Sequence, residues 1–341
     1  IHTLPVSFFK VGKNYLTSSG EIVNESQLPI GKHYATPSSL YPYVLIAITS
    51  QKTILNNIIK NYRGSLLCCL LATIIASIIF YRWLRRPLSP IELLRNGIIK
   101  HEFTPFIQPI IDITTRKIKG GEILMRWIHP RVGTIPPDQF IPLAESSGLI
   151  IPMTRTLISD TSNFFSKKEN FLPENFHIGF NITQEQLQDE NIISDCQRFL
   201  SSFKSSQVEL VLELIERNMA EDSDNLQSQF NSLRQMGVKF ALDDFGTGYS
   251  THAYIQKFNI DYIKIDQSFI QMIGVDRISG HIVDNVISLA DGLGLKVIAE
   301  GVETEEQEKH LKKYNVQYLQ GYRYGKPMPL AEFVDTYLTN K

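Results

Sequence analysis

The sequence predicts an α/β fold: a barrel of alternating strands and helices, preceded by one transmembrane helix and a short N-terminal extracytoplasmic remnant. Three observations point there. Strand-like apolar runs alternate with amphipathic stretches over roughly the last 240 residues, the usual size of a (β/α)8 domain. Ahead of them, residues 64–80 form a charge-free apolar run of about 17 residues. Finally, the strand-like runs end in polar residues of one chemical kind.

Composition sets the outer bounds. The 341 residues carry a formal net charge of −1, so no electrostatic footprint for a nucleic acid polymer is present. The three cysteines exclude a disulfide framework: Cys68 and Cys69 are neighbours in the apolar run, and Cys196 is isolated. No Cys-x-x-Cys occurs, and the eight histidines are scattered without ligand spacing, which argues against zinc. Because the first residue is Ile, the chain reads as a processed product or a piece of something longer.

Taken in order, residues 1–63 are mixed in character. They carry Gly, Ser, Pro and aromatics, a β-like run at 41–49 and a polar helix at 51–63, with too little apolar sequence for an independent core. Residues 64–81 are the expected transmembrane helix. As a helix the apolar run is ~26 Å long against a hydrocarbon core of ~30 Å, with Tyr81 and Trp83 at the interface and Arg63 and Arg82 able to snorkel. Arg82, Arg85 and Arg86 follow the run, so the positive-inside rule places the rest of the chain in the cytoplasm. Residues 82–100, broken by Pro87 and Pro90, read as a juxtamembrane linker, and 101–341 as the barrel domain.

Within that domain the strand-like runs are 106–113, 121–125, 176–181, 208–214, 238–243, 262–265, 296–299 and 318–321. Amphipathic stretches lie between them at 137–147, 222–236, 278–293 and 303–313. The alternation implies a parallel sheet closed by helices into a TIM-like (β/α)8 barrel. Catalytic groups of such barrels collect at the downstream strand ends, which here carry Glu122, Asn181, Glu213, Asp243 with Asp244, Lys264, Glu300 and Gln320.

Each of these residues has an ordinary explanation when taken singly. Asp243-Asp244 and the glycines after them could be a solvated turn, Glu213 a surface acid, Glu300 a helix cap and Lys264 an edge charge. Jointly they form a set of hard oxygen donors without Cys or His, which suits Mg²⁺ or Mn²⁺. Carboxylates converging at one barrel mouth repel each other unless cations neutralise them, and two ions bridged by Asp243 would do so. Two-metal sites suit phosphoryl chemistry.

The ordered motifs Gln108-Pro109-Ile110, Gly121-Glu122-Ile123-Leu124-Met125-Arg126-Trp127, Asn181-Ile182-Thr183, Glu213-Leu214-Ile215-Glu216, Asp243-Asp244-Phe245-Gly246-Thr247-Gly248-Tyr249-Ser250, Lys264-Ile265-Asp266, Ala299-Glu300-Gly301-Val302-Glu303 and Gln320-Gly321-Tyr322 carry a family resemblance. From about His101 to Leu330 the chain resembles the EAL-domain phosphodiesterases, which hydrolyse cyclic di-GMP to pGpG in bacterial signalling. The resemblance implies two ions, Mg²⁺ or Mn²⁺: Glu122, Asn181, Glu213 and Asp243 around one, Asp243, Asp244 and Glu300 around the other. It implies that Lys264 polarises the attacking water, Glu300 helps to deprotonate it, and Arg126 holds a phosphate of the substrate. Gln108, Gln320 and Asp266 would contact substrate, and Glu216 would anchor the loop that begins at Asp244.

The motif's usual Ala is Ile123 here, and Ile215 replaces a usual Thr; both point away from the ligand positions, so repacking is expected there. After Ser250 the chain departs from the family's usual Ser and Leu with Thr251-His252-Ala253, following the loop that couples dimerisation to activity in such proteins. The resemblance also implies a homodimer through the barrel, a bacterial inner-membrane location and an N-terminal piece of a periplasmic sensor. The alternative function is a catalytically weak cyclic di-GMP receptor acting through a partner protein.

Overall fold

The structure, a computed structural model, describes residues 7–17, 19–27, 32–37, 44–49, 51–84, 88–204, 208–215, 224–245, 255, 258–274 and 277–339. The chain divides into two units, Ile1–Pro87 and Leu88–Lys341.

In the first unit, β1 (Ser7–Val11), β2 (Asn14–Thr17), β3 (Ile22–Asn24), β4 (Lys32–Pro37) and β5 (Val44–Thr49) form one antiparallel sheet in the order β3-β2-β1-β5-β4. Of these, β5 coincides with the β-like run read from the sequence; the others are short, and their alternation is too brief to stand out. The two-residue turn from β1 to β2 uses Gly12 at φ 65°, a value glycine adopts without strain.

Helix α1 (Gln51–Leu84) follows as one continuous helix of 34 residues. The expected polar helix and the expected span are therefore a single element. Gly64, which marked their boundary, costs a helix only about 1 kcal/mol, too little to break it. From Ile54 to Trp83, a stretch of 30 residues is long and apolar enough to cross a membrane, and none of its apolar window is buried in the protein. Leu66, Leu70, Ile79 and Phe80 are all exposed.

The second unit begins with α2 (Pro90–Ile99). Ser89 caps it in a capping box with Glu92, and Pro90 supplies a first-turn residue whose missing N–H is not needed there. Leu94 is fully buried, and a Cβ on Gly97 would stand 2.9 Å from the Phe103 ring and 3.2 Å from the Trp127 indole nitrogen. Within the 82–100 segment read as a linker, the part from Pro90 onward is helical and packed into the second unit, because its apolar face has a partner.

The barrel strands are β6 (Phe103–Asp112), β7 (Ile118–His129), β9 (Phe176–Ile182), β10 (Val208–Ile215), β11 (Lys239–Phe245), β12 (Tyr262–Ile265), β13 (Lys296–Ala299) and β14 (Tyr318–Gln320). Between β7 and β9 in the chain lies β8 (Gly133–Ile135), which pairs with β7; after β14 comes β15 (Met328–Pro329), which pairs with β6. Strands β7 and β9 to β14 are mutually parallel. Strand β6 closes the ring by pairing antiparallel with both β7 and β14. The expected parallel sheet is thus formed by seven of the eight barrel strands, with β6 the exception. Only residues 113–117 connect β6 to β7, too few for the crossover that a parallel pair requires.

Most of the core lies outside the ring, between strands and helices. A second buried cluster consists of Ile110, Val211, Ala241, Tyr262, Ile298 and Tyr318. These come from six different barrel strands and plug the ring from within. The remaining strands, β7 and β9, place Gly120 and Gly179 at the equivalent positions. A Cβ at Gly120 would sit 2.0 Å from the His177 carbonyl oxygen, so the two backbones approach there as no larger residue would allow.

Candidate active site

Each plug residue has a polar partner two positions nearer the mouth of the barrel, on the same face of its strand. Val211 precedes Glu213, Ala241 precedes Asp243, Tyr262 precedes Lys264, Ile298 precedes Glu300 and Tyr318 precedes Gln320. On the antiparallel strand β6 the order reverses, and Gln108 lies before Ile110. Gly120 and Gly179 precede Glu122 and Asn181. The residues predicted from eight separate motifs are thus one ring of side chains.

Lys264 is the hub. Its Nζ lies 2.5 Å from Glu213 Oε2, 2.6 Å from Glu300 Oε1, 3.3 Å from Glu122 Oε2 and 3.6 Å from Asp243 Oδ1. Both Lys264 and Glu213 are completely buried. The Glu122 carboxylate also accepts from Asn181 Nδ2 at 2.5 Å and from Gln320 Nε2 at 2.7 Å. Gln320 Nε2 donates as well to Gln108 Oε1 at 3.2 Å.

The protonation balance follows from this geometry. Burial pushes the Glu213 carboxyl up to about 7, with Lys264 opposing it and Glu122 adding to it. Burial raises Glu300 well above the usual carboxylate range too, Lys264 again opposing and Asp243 reinforcing. For Glu122, burial is outweighed by Lys264 and the amides of Gln320 and Asn181, and its carboxyl is held below the usual range. Burial works against the Lys264 ammonium, but Asp243, Glu122, Glu213 and Glu300 together hold it well above its ordinary value. Among the described residues one ammonium faces four carboxylates, an excess of acid that raises the proton affinity of Glu213 and Glu300.

That excess bears on whether divalent cations fit. Among the described residues, no group of three or more His, Cys, Asp or Glu stands at ligand spacing; the acids are gathered on Lys264 instead. The donor set is nonetheless of the hard-oxygen kind, and Gln320 Oε1, within the ring, is buried without a hydrogen-bond partner. Converging acids whose proton affinity is raised, beside an orphaned amide oxygen, are what a divalent cation satisfies, so the residues fit the group.

A cleft of about 300 Å³ opens beside the ring, lined by Gln108, Glu122, Arg126, Glu300, Gln320 and Tyr322 among others. The half-buried Arg126 guanidinium lies 5.9 Å from the Phe106 ring centre on its wall. Two larger cavities of about 630 Å³ lie elsewhere, one along helix Ile150–Phe165 and one around Arg116 and Tyr337. Neither contains any of the ring, so size does not mark the site.

Other sequence-predicted residues are placed differently. Asp266 caps the short helix Gln267–Gln271, accepting from the Ser268 amide at 2.9 Å, and does not line the cleft. Asp244 lies in β11, where Leu242 and Phe245 pair with Ile263 and Ile265, so β11 carries one more residue than β12 over this stretch. Its side chain, Glu216 and the loop at 246–254 lie outside the described residues.

Sequence reasoning missed His177 and Gly179. Both share with Asn181 the inward face of β9, so stepping back two residues at a time from Asn181 would have found them. His177 is buried, its ring packed edge-on against Tyr262 at 5.3 Å; burial pushes it down to about 3, leaving it neutral. Tyr262 in turn donates to Glu209 Oε2 at 2.6 Å.

An eight-stranded barrel whose mouth gathers acids, amides and a buried lysine defines a class of α/β barrels with one polar site at the strand ends. The comparisons narrow the class. Residues 91–327 match the EAL domain family, and the chain belongs to it. It is 46% identical over 247 residues to the cyclic di-GMP phosphodiesterase PdeL of Escherichia coli strain K12, spanning 72% of this chain and 68% of that one. To the probable cyclic di-GMP phosphodiesterase PdeG of the same organism it is 38% identical over 276 residues, covering 81% of this chain but 54% of the relative. A solved structure of the PaMucR phosphodiesterase in complex with c-di-GMP superposes with a TM-score of 0.66 at 31% identity, over 72% of this chain and all of that one.

Proposed function

We propose that this chain hydrolyses cyclic di-GMP to linear pGpG with two bound divalent cations, Mg²⁺ or Mn²⁺. The observation that carries the reading is the buried Lys264 ammonium held among Glu122, Glu213, Asp243 and Glu300 at one barrel mouth. The kinship with PdeL and with the c-di-GMP complex of PaMucR supplies the substrate class.

Glu122, Asn181, Glu213 and Asp243 would hold one ion, and Asp243, Asp244 and Glu300 the other. The bound cations would cancel the anionic charge that shields a phosphodiester from attack. The chain's own residues do the rest. Lys264 Nζ orients the attacking water and keeps the acids gathered; Glu300, whose carboxyl is raised by burial, takes a proton from it. The Arg126 guanidinium faces a non-bridging phosphate oxygen from the cleft wall, while Gln108 and Gln320 fix the substrate's position.

The long exposed apolar helix α1 supports anchoring in a bacterial inner membrane, with the barrel in the cytoplasm. Family kinship supports a homodimer through the barrel, with Glu216 anchoring the loop after Asp244. Membrane fractionation with protease protection tests the first, and the mass of the detergent-solubilised chain tests the second.

The decisive assay uses the full chain in detergent with Mg²⁺ or Mn²⁺, following pGpG by chromatography. Turnover that is abolished in Glu300→Ala and Asp243→Asn supports the proposal. Tight nucleotide binding without product favours a receptor that signals through a partner, and absence of binding sinks both readings.

A further inference from the structure

His177 and Glu213 are neighbours across β9 and β10, and each has an unmet need. His177 Nε2 and Glu213 Oε1 are both buried without a hydrogen-bond partner, and they face each other at 3.9 Å. That gap is too short for a bridging water, which needs roughly 4.5 Å or more between the groups it joins. A small rotation of either side chain closes it.

The surroundings favour direct contact. A Cβ on Gly179 would lie 1.9 Å from Glu213 Oε1 and 3.2 Å from His177 Nε2, so β9 is bare backbone where the two groups meet. On its other side, His177 Nδ1 is 4.0 Å from Glu209 Oε2, an oxygen that already accepts from Tyr262 and belongs to a partly exposed side chain. Glu209 does not need the imidazole proton, whereas Glu213 has no other donor for Oε1. The edge-on Tyr262 ring holds the imidazole in place. Glu213 Oε2, the other oxygen, faces Lys264 and the mouth.

We infer that His177 is a positioning residue for Glu213: its Nε2–H donates to Oε1 through the gap at Gly179, so that Oε2 alone is presented to the mouth. The inference rests on the divalent-cation reading above. Groups that orient a ligating side chain commonly change metal affinity by 10- to 100-fold when removed.

The test is Mn²⁺ binding to the full chain in detergent without nucleotide, read from the loss of the free-ion paramagnetic resonance signal. His177→Phe keeps an edge-on ring and removes the donor. His177→Gln places an amide N–H close to where Nε2 stood, and His177→Asn places one near Nδ1 instead. The expected result is Mn²⁺ affinity about 10- to 100-fold weaker for Phe and Asn, and within about threefold of the parent for Gln. Equal affinities for Gln and Asn overturn the inference, as does an unchanged His177→Phe variant. If His177→Phe does not fold, the Gln and Asn pair decides alone. Failure of the parent chain to bind Mn²⁺ overturns the metal reading itself, and the inference with it.

Discussion

The interior of the barrel holds two layers that differ in everything but their position on the strands. In the plug layer Ile110, Val211, Ala241 and Ile298 are fully buried and apolar, and nothing there is left unsatisfied. Two residues nearer the mouth, Glu213 and Lys264 are just as buried but ionisable, and among the described residues one ammonium there faces four acids. The plug holds the ring closed; the mouth layer stores electrostatic strain that a bound cation would relieve. A strained polar layer survives because the apolar layer beneath it fixes each strand in place.

The sharpest way to break this contrast is Glu300→Gln. Turnover should fall by about a thousandfold or more, as expected when a group that takes the proton is lost, while the melting temperature of the metal-free chain changes little, because burial already favours the neutral carboxyl that Gln imitates. Ile298→Ala should do the reverse. A fully buried Ile truncated to Ala costs about 2–5 kcal/mol of stability, with turnover per folded molecule changed little; denaturant titration and the pGpG assay separate the two.

A third test follows from Glu213. Its carboxyl titrates at about 7 in the fold and at about 4.3 in an unfolded chain, so the folded state binds the extra proton between those values. Stability of the chelator-treated protein is therefore full below about pH 4.3 and falls as pH rises toward about 7, by about 3 to 4 kcal/mol from this residue. Glu300, also raised, extends the loss upward; Glu122, lowered, acts only at more acidic pH. Thermal melting across pH 5 to 8, with and without Mn²⁺, should show the metal's stabilisation growing with pH. The smallest expected effect is that of Gly179→Ala. The new methyl must push Glu213 Oε1 aside, and turnover should drop about tenfold to a hundredfold while the apolar plug holds the fold.

Much of the site is legible in the sequence, for a definite reason. Strand periodicity is two, so a polar residue near the end of an apolar run is visible as a break in pattern, and Asn181, Glu213, Asp243, Lys264, Glu300 and Gln320 show themselves that way, whereas Glu122 stands inside β7. His177 does not, because a histidine inside an apolar run resembles an ordinary core residue. Asp266, expected from the family resemblance to contact substrate, also caps a helix, a second role that the sequence reading did not assign. The antiparallel course of β6 is hidden because direction is a property of the connection, and the short link at 113–117 resembles any loop.

By itself the sequence determined the alternation of elements, the apolar helix ahead of the barrel and the chemical identity of the mouth residues, all of which depend on neighbours within a few positions. Tertiary structure alone decided that α2 belongs to the barrel unit, that β6 closes the ring in reverse, and that Lys264 stands among four acids, three on different strands and Glu300 just beyond β13. Those facts depend on which strands lie side by side, and strand pairing is set by packing across the whole ring. The gap at Gly179 where His177 meets Glu213 is the clearest case: three residues ordinary in sequence become one arrangement only when β9 and β10 pair in register.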